Sequence, residues 1–524
     1  MLLRVCVIEE YRMTRNEMID SQTDQDVAKS RILSSISSFS KKTSERIKNR
    51  LNKVSWGEYS LEIGIVAMLI SIALFIRIVL AYEFRVNWGY GSDEIIWNLG
   101  LPFNINNVNF RGFADFGYYY YSWVTGWFEN GWYPYQWTEP ADVYDYYSYP
   151  PVFLYFLVLI WRPGMSNFWI AFPMVFADAA CAGVVYLILR EAIKKDTSRI
   201  IAIIGGFLMA LAPINVIYDG IFWLNPGPVT LLSLIAFYFA IKNKWWQAFF
   251  WLAFATMTKQ NALFFTFPMF MVMLGQKARD KSVREAIIES IMNAVLFVAV
   301  CLLLSVPYIF IDPLQYGRHM LFPGRGIEWR FYPTDPAGND CVPFATSLWK
   351  LGVQGILLAV ISLGTYNMFF MILSAALIGF FMIWRSYRNK LDGIEFFEWI
   401  SIYVILTHIF MPRGIYKFYV AYFVPFIAIA LIGSITHYTT DKKFVALGLL
   451  PATALFLWFN FWLLIMDRWA VPFYLFMVAL TIGLLAFIRA DIKYVTEKKV
   501  RERRMPLIYT IAYKVEEKNV KESS

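Results

Sequence analysis

Asp115 stands between Phe113 and a run of four tyrosines, Tyr118 to Tyr121. A carboxylate among so many rings is partly desolvated, and such a group can act as a general base. A solvated surface Asp is the plainer account of the same spacing. Asn215, Tyr218, Asp219, Trp223 and Asn225 form a second group, leaving one apolar run and entering the next. Lys259, Gln260 and Asn261 likewise sit alone between two apolar runs. A tight turn would account for three polar residues there, but polar groups at membrane depth also mark sites. The third group is Arg413 and Lys417 in Met-Pro-Arg-Gly-Ile-Tyr-Lys. If a helix begins here, this spacing turns both cations to one side, near a helix N-terminus that itself favours anions. A phosphate is the natural ligand, and a snorkelling interface pair is the alternative. Arg318, Arg325 and Arg330 add to the same positive field.

These groups need elements to hold them, and the composition says what those are. The 524 residues are 58% hydrophobic and 17% charged, and the mean hydropathy is +0.48. Soluble domains carry about a quarter charged residues. Long apolar runs make this an all-α polytopic membrane protein in contact with a lipid bilayer. The net charge of +9 follows from membrane topology and does not suggest a nucleic-acid partner. Cys6, Cys181, Cys301 and Cys341 lack metal-ligand spacing, and three histidines do not make a metal site. No metal is assigned.

The expected spans are 61–82, 168–189, 200–217, 227–241, 245–258, 262–274, 287–311, 366–384, 394–410, 418–434, 444–465 and 469–488, about 12 in all. Residues 1–60 form a basic N-terminal segment, 61–489 the membrane domain, and 490–524 a basic tail. Basic residues at Arg190–Arg199, Lys242–Lys244, Lys277–Arg284 and Arg385–Lys390 alternate with acidic or neutral connections. The positive-inside rule then makes both termini cytoplasmic. It also places loops 83–167 and 312–343 on the opposite side. Within the first loop, Phe113 to Tyr155 is crowded with Tyr and Trp, carries several carboxylates and has no Lys or Arg. Such rings suit the headgroup layer and the faces of sugars. Val152–Trp161 is apolar but too short to cross, and reads as an interfacial helix.

A carboxylate opposite two cations suits sugar transfer from a polyprenyl phosphate. The acceptor hydroxyl would lose its proton to Asp115, and Arg413 and Lys417 would stabilise the departing phosphate. The donor holds one phosphate, so neither a metal nor another cofactor is required. In chain order, several stretches resemble the GT-C glycosyltransferases, above all the dolichyl-phosphate-glucose-dependent glucosyltransferases that build lipid-linked oligosaccharides. Phe-Ala-Asp-Phe at 113–116 resembles the loop carrying that family's catalytic base. Tyr149-Pro-Pro, Pro213 through Asn225, Lys259-Gln260, Leu321-Phe-Pro with Arg325-Gly, and Arg413 with Lys417 follow. Ser148 stands where the family has an Asp, with Asp145 three residues earlier, and Arg413 replaces a His.

The resemblance implies a GT-C bundle with Asp115 as general base. It implies Arg413, Lys417 and Arg325 around the donor phosphate. Asp145, Tyr149, Asp219, Asn225, Lys259 and Gln260 would line the substrates. The partners would be a polyprenyl-phosphate sugar and a lipid-linked saccharide acceptor. The sugar stays open between glucose, mannose and another hexose. The membrane would be endoplasmic reticulum in a eukaryote and plasma membrane in an archaeon. A flippase for lipid-linked saccharides, or a protein glycosyltransferase of the same fold, is the alternative. A carrier should show inverted repeats and midplane charges, whereas the polar residues here cluster towards one side.

Overall fold

The computed structural model describes residues 56–84, 116–136, 147, 149–193, 198–321, 341–342, 364–388, 391, 393–409, 415–438 and most of 448–460. The chain divides into two compact units, Met1–Gly64 and Ile65–Ser524. Of the first unit, only the opening turns of one helix are described.

The described residues are almost wholly helical. They comprise α1 (Trp56–Phe84), α2 (Tyr121–Asn130), α3 (Pro151–Val158), α4 (Phe168–Ala192), α5 (Ser198–Ala210), α6 (Pro226–Ile241) and α7 (Trp245–Thr258). There follow α8 (Thr266–Asp280), α9 (Val283–Ile309), α10 (Pro313–Leu321), α11 (Gly364–Arg388), α12 (Gly393–Ile409) and α13 (Val424–Tyr438). Two residue pairs, Cys341–Val342 and Ile415–Tyr416, form a short antiparallel ladder. Among the described residues, four stretches are long and apolar enough to cross a membrane: Ser60–Glu83, Phe168–Ala192, Ser198–Ile221 and Val283–Ile309.

Local chemistry sets many of the helix ends. Pro151 and Pro226 open α3 and α6 at positions whose N–H would have no partner within the helix. Ser282 caps α9 by accepting a hydrogen bond from the Glu285 amide at 3.3 Å, the Ser-x-x-Glu start of a helix. The expected span 245–258 coincides with α7, and 168–189 differs from α4 only at its end. The span expected at 262–274 begins instead as a 3₁₀ turn, Gln260–Phe265, before α8. Of the stretch Val152–Trp161, only the part up to Val158 is helical, as α3. Asp145, Arg325, Arg413, residues 1–55 of the N-terminal segment, the expected span 469–488 and the tail 490–524 lie outside the described residues, as does Asp115.

Helix α4 is the axis of the bundle. Its most apolar window is 78% buried, against 22% for α1 and 17% for α9. The exposed apolar flanks of those two, Phe75 and Val79 on one, Ile291, Val295 and Leu302 on the other, suit a lipid environment. The small residues of α4 from Ala177 to Gly183 let α5 and α6 come close, as van der Waals packing between apolar helices requires. A Cβ on Gly227 would lie 2.7 Å from the Met174 carbonyl oxygen. On the far side of the bundle, a Cβ on Gly275 would lie 2.6 Å from the Ile383 carbonyl oxygen.

The two ends of the bundle differ. At one end, basic residues meet: Lys242 pairs with Glu191 at 3.1 Å, Lys277 with Glu289 at 2.8 Å, and Arg385 with Glu395 at 3.1 Å. At the other end the backbone leaves the α form repeatedly. Phe116–Tyr120 and Val216–Ile221 are π turns, and Gln260–Phe265 and Lys417–Tyr422 are 3₁₀ turns. Irregular backbone at membrane depth needs other protein or water around it, and there the polar side chains gather.

Candidate functional site

Asn225 immediately precedes α6, where Pro226 fixes the start of the helix. Its side chain is fully buried. The amide nitrogen donates to the Tyr120 hydroxyl and, at 3.0 Å, to the Tyr149 hydroxyl. The amide oxygen accepts from Lys259 Nζ at 2.8 Å and from the Tyr422 hydroxyl. An asparagine amide has two donors and two acceptor lone pairs, and here all four are used. The partners come from four separate stretches: the π turn after Asp115, the loop before α3, the residue after α7, and the 3₁₀ turn before α13.

Lys259 is itself buried. Its ammonium lies over the Tyr149 ring at 5.1 Å and the Tyr422 ring at 5.3 Å. Two ring faces and an amide oxygen compensate a charge that would otherwise be costly at this depth. Trp123 lies behind, its ring edge-on to Tyr149 at 5.3 Å and 5.5 Å from that of Tyr120. The result is a buried cluster of tyrosine, tryptophan, amide and ammonium groups.

The residue after Asp115 is anchored firmly. Phe116 is fully buried, with its ring 5.0 Å from that of Trp223. Trp223 has φ of 59°, a left-handed conformation that is uncommon for a bulky residue. That turn directs the Trp223 ring onto Phe116 and Phe168.

A second polar cluster lies between α1, α4 and the α5–α6 connection. Arg77 Nε pairs with Asp178 at 2.5 Å, and both side chains are fully buried. Arg77 Nη1 also donates to the carbonyls of Ala73 and Ala210, at 3.0 and 2.9 Å. The Asn215 amide donates to Asp178 at 3.0 Å, to Asp219 at 3.3 Å and to the Ala421 carbonyl at 3.3 Å. Ala421 neighbours Tyr422, so the two clusters share the Lys417–Tyr422 turn.

The tyrosine loop docks on α9 and α10 through its own rings. Tyr135 donates to the Tyr149 carbonyl at 3.1 Å, and Tyr147 to the Pro150 carbonyl at 2.6 Å. Tyr155 bonds Tyr308, while the His319 ring meets the Tyr147 carbonyl at 2.5 Å. Burial raises the Tyr135 and Tyr147 phenols well above their ordinary range. Burial, with the Asp312 carboxylate beside it, pushes Tyr133 up to about 12. Burial likewise takes Tyr316 to about 12.

Of the residues singled out in the sequence, Tyr149, Asn225 and Lys259 meet in one hydrogen-bonded cluster. Asp219 lies in the Arg77 cluster, fully buried with Asn215 and Asp178. Gln260, half-buried, opens the 3₁₀ turn that follows Lys259. Lys417 opens the turn that ends at Tyr422. Tyr120, Tyr422, Arg77 and Asp178 were not singled out. Arg77 and Asp178 had left a signal, each a lone charge within an apolar run. Among the described residues, no group of three or more His, Cys, Asp or Glu side chains could hold a metal. No family model matches the chain, and no curated protein matches it either.

Proposed function

We propose that the chain is an inverting hexosyltransferase of GT-C type, with about 12 spans and both termini cytoplasmic. It would move a hexose from a polyprenyl-phosphate sugar to a lipid-linked saccharide on the non-cytoplasmic face. Asp115 takes the proton of the acceptor hydroxyl, and that oxygen attacks the anomeric carbon from the face opposite the phosphate. The bond from this carbon to the phosphate oxygen breaks, and its electron pair leaves with the polyprenyl phosphate. Arg413, Lys417 and Arg325 meet that growing charge. Asp145, Tyr149, Asp219, Asn225, Lys259 and Gln260 stand on the substrate side.

One observation carries the reading. Tyr149, Asn225 and Lys259, distant in sequence, join in one cluster with the turn that follows Asp115 and the turn that begins at Lys417. On the proposed reading, the base belongs to the segment before the first of these turns and the phosphate site to the start of the second.

The test is transfer in vitro by the purified chain, from short polyprenyl-phosphate glucose and mannose to a lipid-linked oligosaccharide. The expected outcome is transfer from one donor, reduced at least about a hundredfold in Asp115→Asn, the usual scale for a general base. Full activity in Asp115→Asn removes Asp115 from the role. No transfer from any donor, with saccharide lipid crossing liposomes instead, replaces the transferase by a carrier.

A further inference from the structure

We infer that Asn225 and Tyr422 form a latch that ties the Lys417–Tyr422 turn to the tyrosine loop, and that both are positioning residues for the donor. The role in donor placement rests on the proposed transfer; the latch itself rests on geometry.

Asn225 bonds all four of these groups: Tyr120 and Tyr149 from the loop, Lys259 from the end of α7, and Tyr422 from the turn. Using both donors and both lone pairs, it defines where each partner sits, because a displaced partner would leave a buried polar group unsatisfied. Tyr422 contributes twice. Its hydroxyl bonds the amide oxygen, and its ring lies 5.3 Å from the Lys259 ammonium. The adjacent Ala421 carbonyl accepts from Asn215 at 3.3 Å. The C-terminal end of the turn is therefore held from both ends of the α5–α6 connection, by Asn215 and by Asn225.

Nothing comparable needs to hold a loop for packing alone, since the rings of Tyr120, Trp123, Tyr149 and Phe153 already pack edge-on or tilted against one another. What the amide adds is direction. It fixes the turn beginning at Lys417 against the segment that follows Asp115. Donor binding at the turn would then order the loop, and loosening the latch would weaken donor binding before it affected the chemistry.

Tyr422→Phe tests this with least disturbance: it keeps the ring over Lys259 and deletes one hydrogen bond. Asn225→Asp is the companion, because the tyrosine hydroxyls can turn and donate to a carboxylate of the same shape. Both are made in the full chain in lipid nanodiscs. Two readouts are taken. One is hydrogen exchange of the segments 116–123 and 417–424, and the other is steady-state transfer with each substrate varied in turn. For Tyr422→Phe we expect exchange about fivefold faster in both segments. The donor KM should rise about fivefold, while the acceptor KM and kcat stay within about twofold, the loss of one ordinary hydrogen bond. Asn225→Asp should restore most of the protection that Asn225→Leu removes.

A merely structural role lowers the amount of active protein, and so kcat, with both KM values unmoved; that result overturns the positioning role. Unchanged exchange in Tyr422→Phe overturns the latch even if wild-type transfer is robust. Faster exchange in both segments in a chain that transfers no sugar supports the latch and sinks the transferase.

Discussion

Arg77→Met is the most informative single change to the stability of the bundle. Arg77 and Asp178 are both fully buried and pair at 2.5 Å, and Arg77 also holds the carbonyls of Ala73 and Ala210. Methionine keeps much of the stem and deletes the charge. Asp178 is then left with the Asn215 amide at 3.0 Å, which is shared with Asp219, and with a hydrogen bond to the Asp219 carboxyl itself. Removing one member of a buried ion pair costs about 3–5 kcal/mol, because the other charge stays behind. Neutralising that charge as well should relieve the cost. The double variant Arg77→Met/Asp178→Asn should therefore be more stable than Arg77→Met by about 2 kcal/mol, within the range that coupled neighbours show. The assay is equilibrium unfolding of the full chain in mixed micelles with increasing dodecyl sulfate, followed by tryptophan fluorescence. A double-mutant cycle with Asp178→Asn gives the coupling. The reasoning fails if Arg77→Met costs under about 1 kcal/mol, below the range for a broken buried pair. It fails equally if the two single costs simply add.

Alkaline titration offers an independent check on the docking of the tyrosine loop. Folding raises the phenols of Tyr133 and Tyr316 to about 12, above the ordinary value of about 10. A raised value means that the folded state favours the protonated form. The stabilisation is thus complete below about pH 10 and is lost as pH rises towards about 12. Phenolate absorbance near 295 nm should show a late-titrating set that is freed when the chain unfolds, and a single ordinary titration would contradict the packing. Glycine substitutions probe helix spacing. Gly275→Val should cost about 1–3 kcal/mol by forcing α8 from α11, because its Cβ would meet the Ile383 carbonyl and Ser386. Gly317→Ala in α10 meets nothing within 4 Å and should stabilise by about 0.5–1 kcal/mol, measured in the same unfolding assay.

The sequence was readable where chemistry is local. The ends of α7 follow from Lys244 before and Lys259 after an apolar run. Pro150 and Pro151 mark Tyr149, and Lys259 is conspicuous as a charge between two hydrophobic stretches. Tyr422 was hidden among Phe418, Tyr419 and Phe423. In a 3₁₀ turn, periodicity does not say which of those rings points inward. Arg77 and Asp178 were visible as isolated charges, but 101 positions separate them, and no local rule joins them. Asp219 and Asn225 lie close in sequence and looked like one site. The chain reverses at the left-handed Trp223 between them, so Asp219 turns to the Arg77 cluster and Asn225 to the tyrosines.

The gathering of π and 3₁₀ turns at one end of the bundle divides the molecule into two materials. In the half built from regular helix, each amide is already bonded along its own helix, and lipid is a tolerable neighbour. In the other half, the amides bond in the wider π and tighter 3₁₀ patterns, whose geometry is poorer than that of the α form. Thermal motion, hydration and isotope exchange should therefore begin at the tyrosine end and leave the basic end until last. A chain assembled this way has a regular half that serves as a footing for an irregular one.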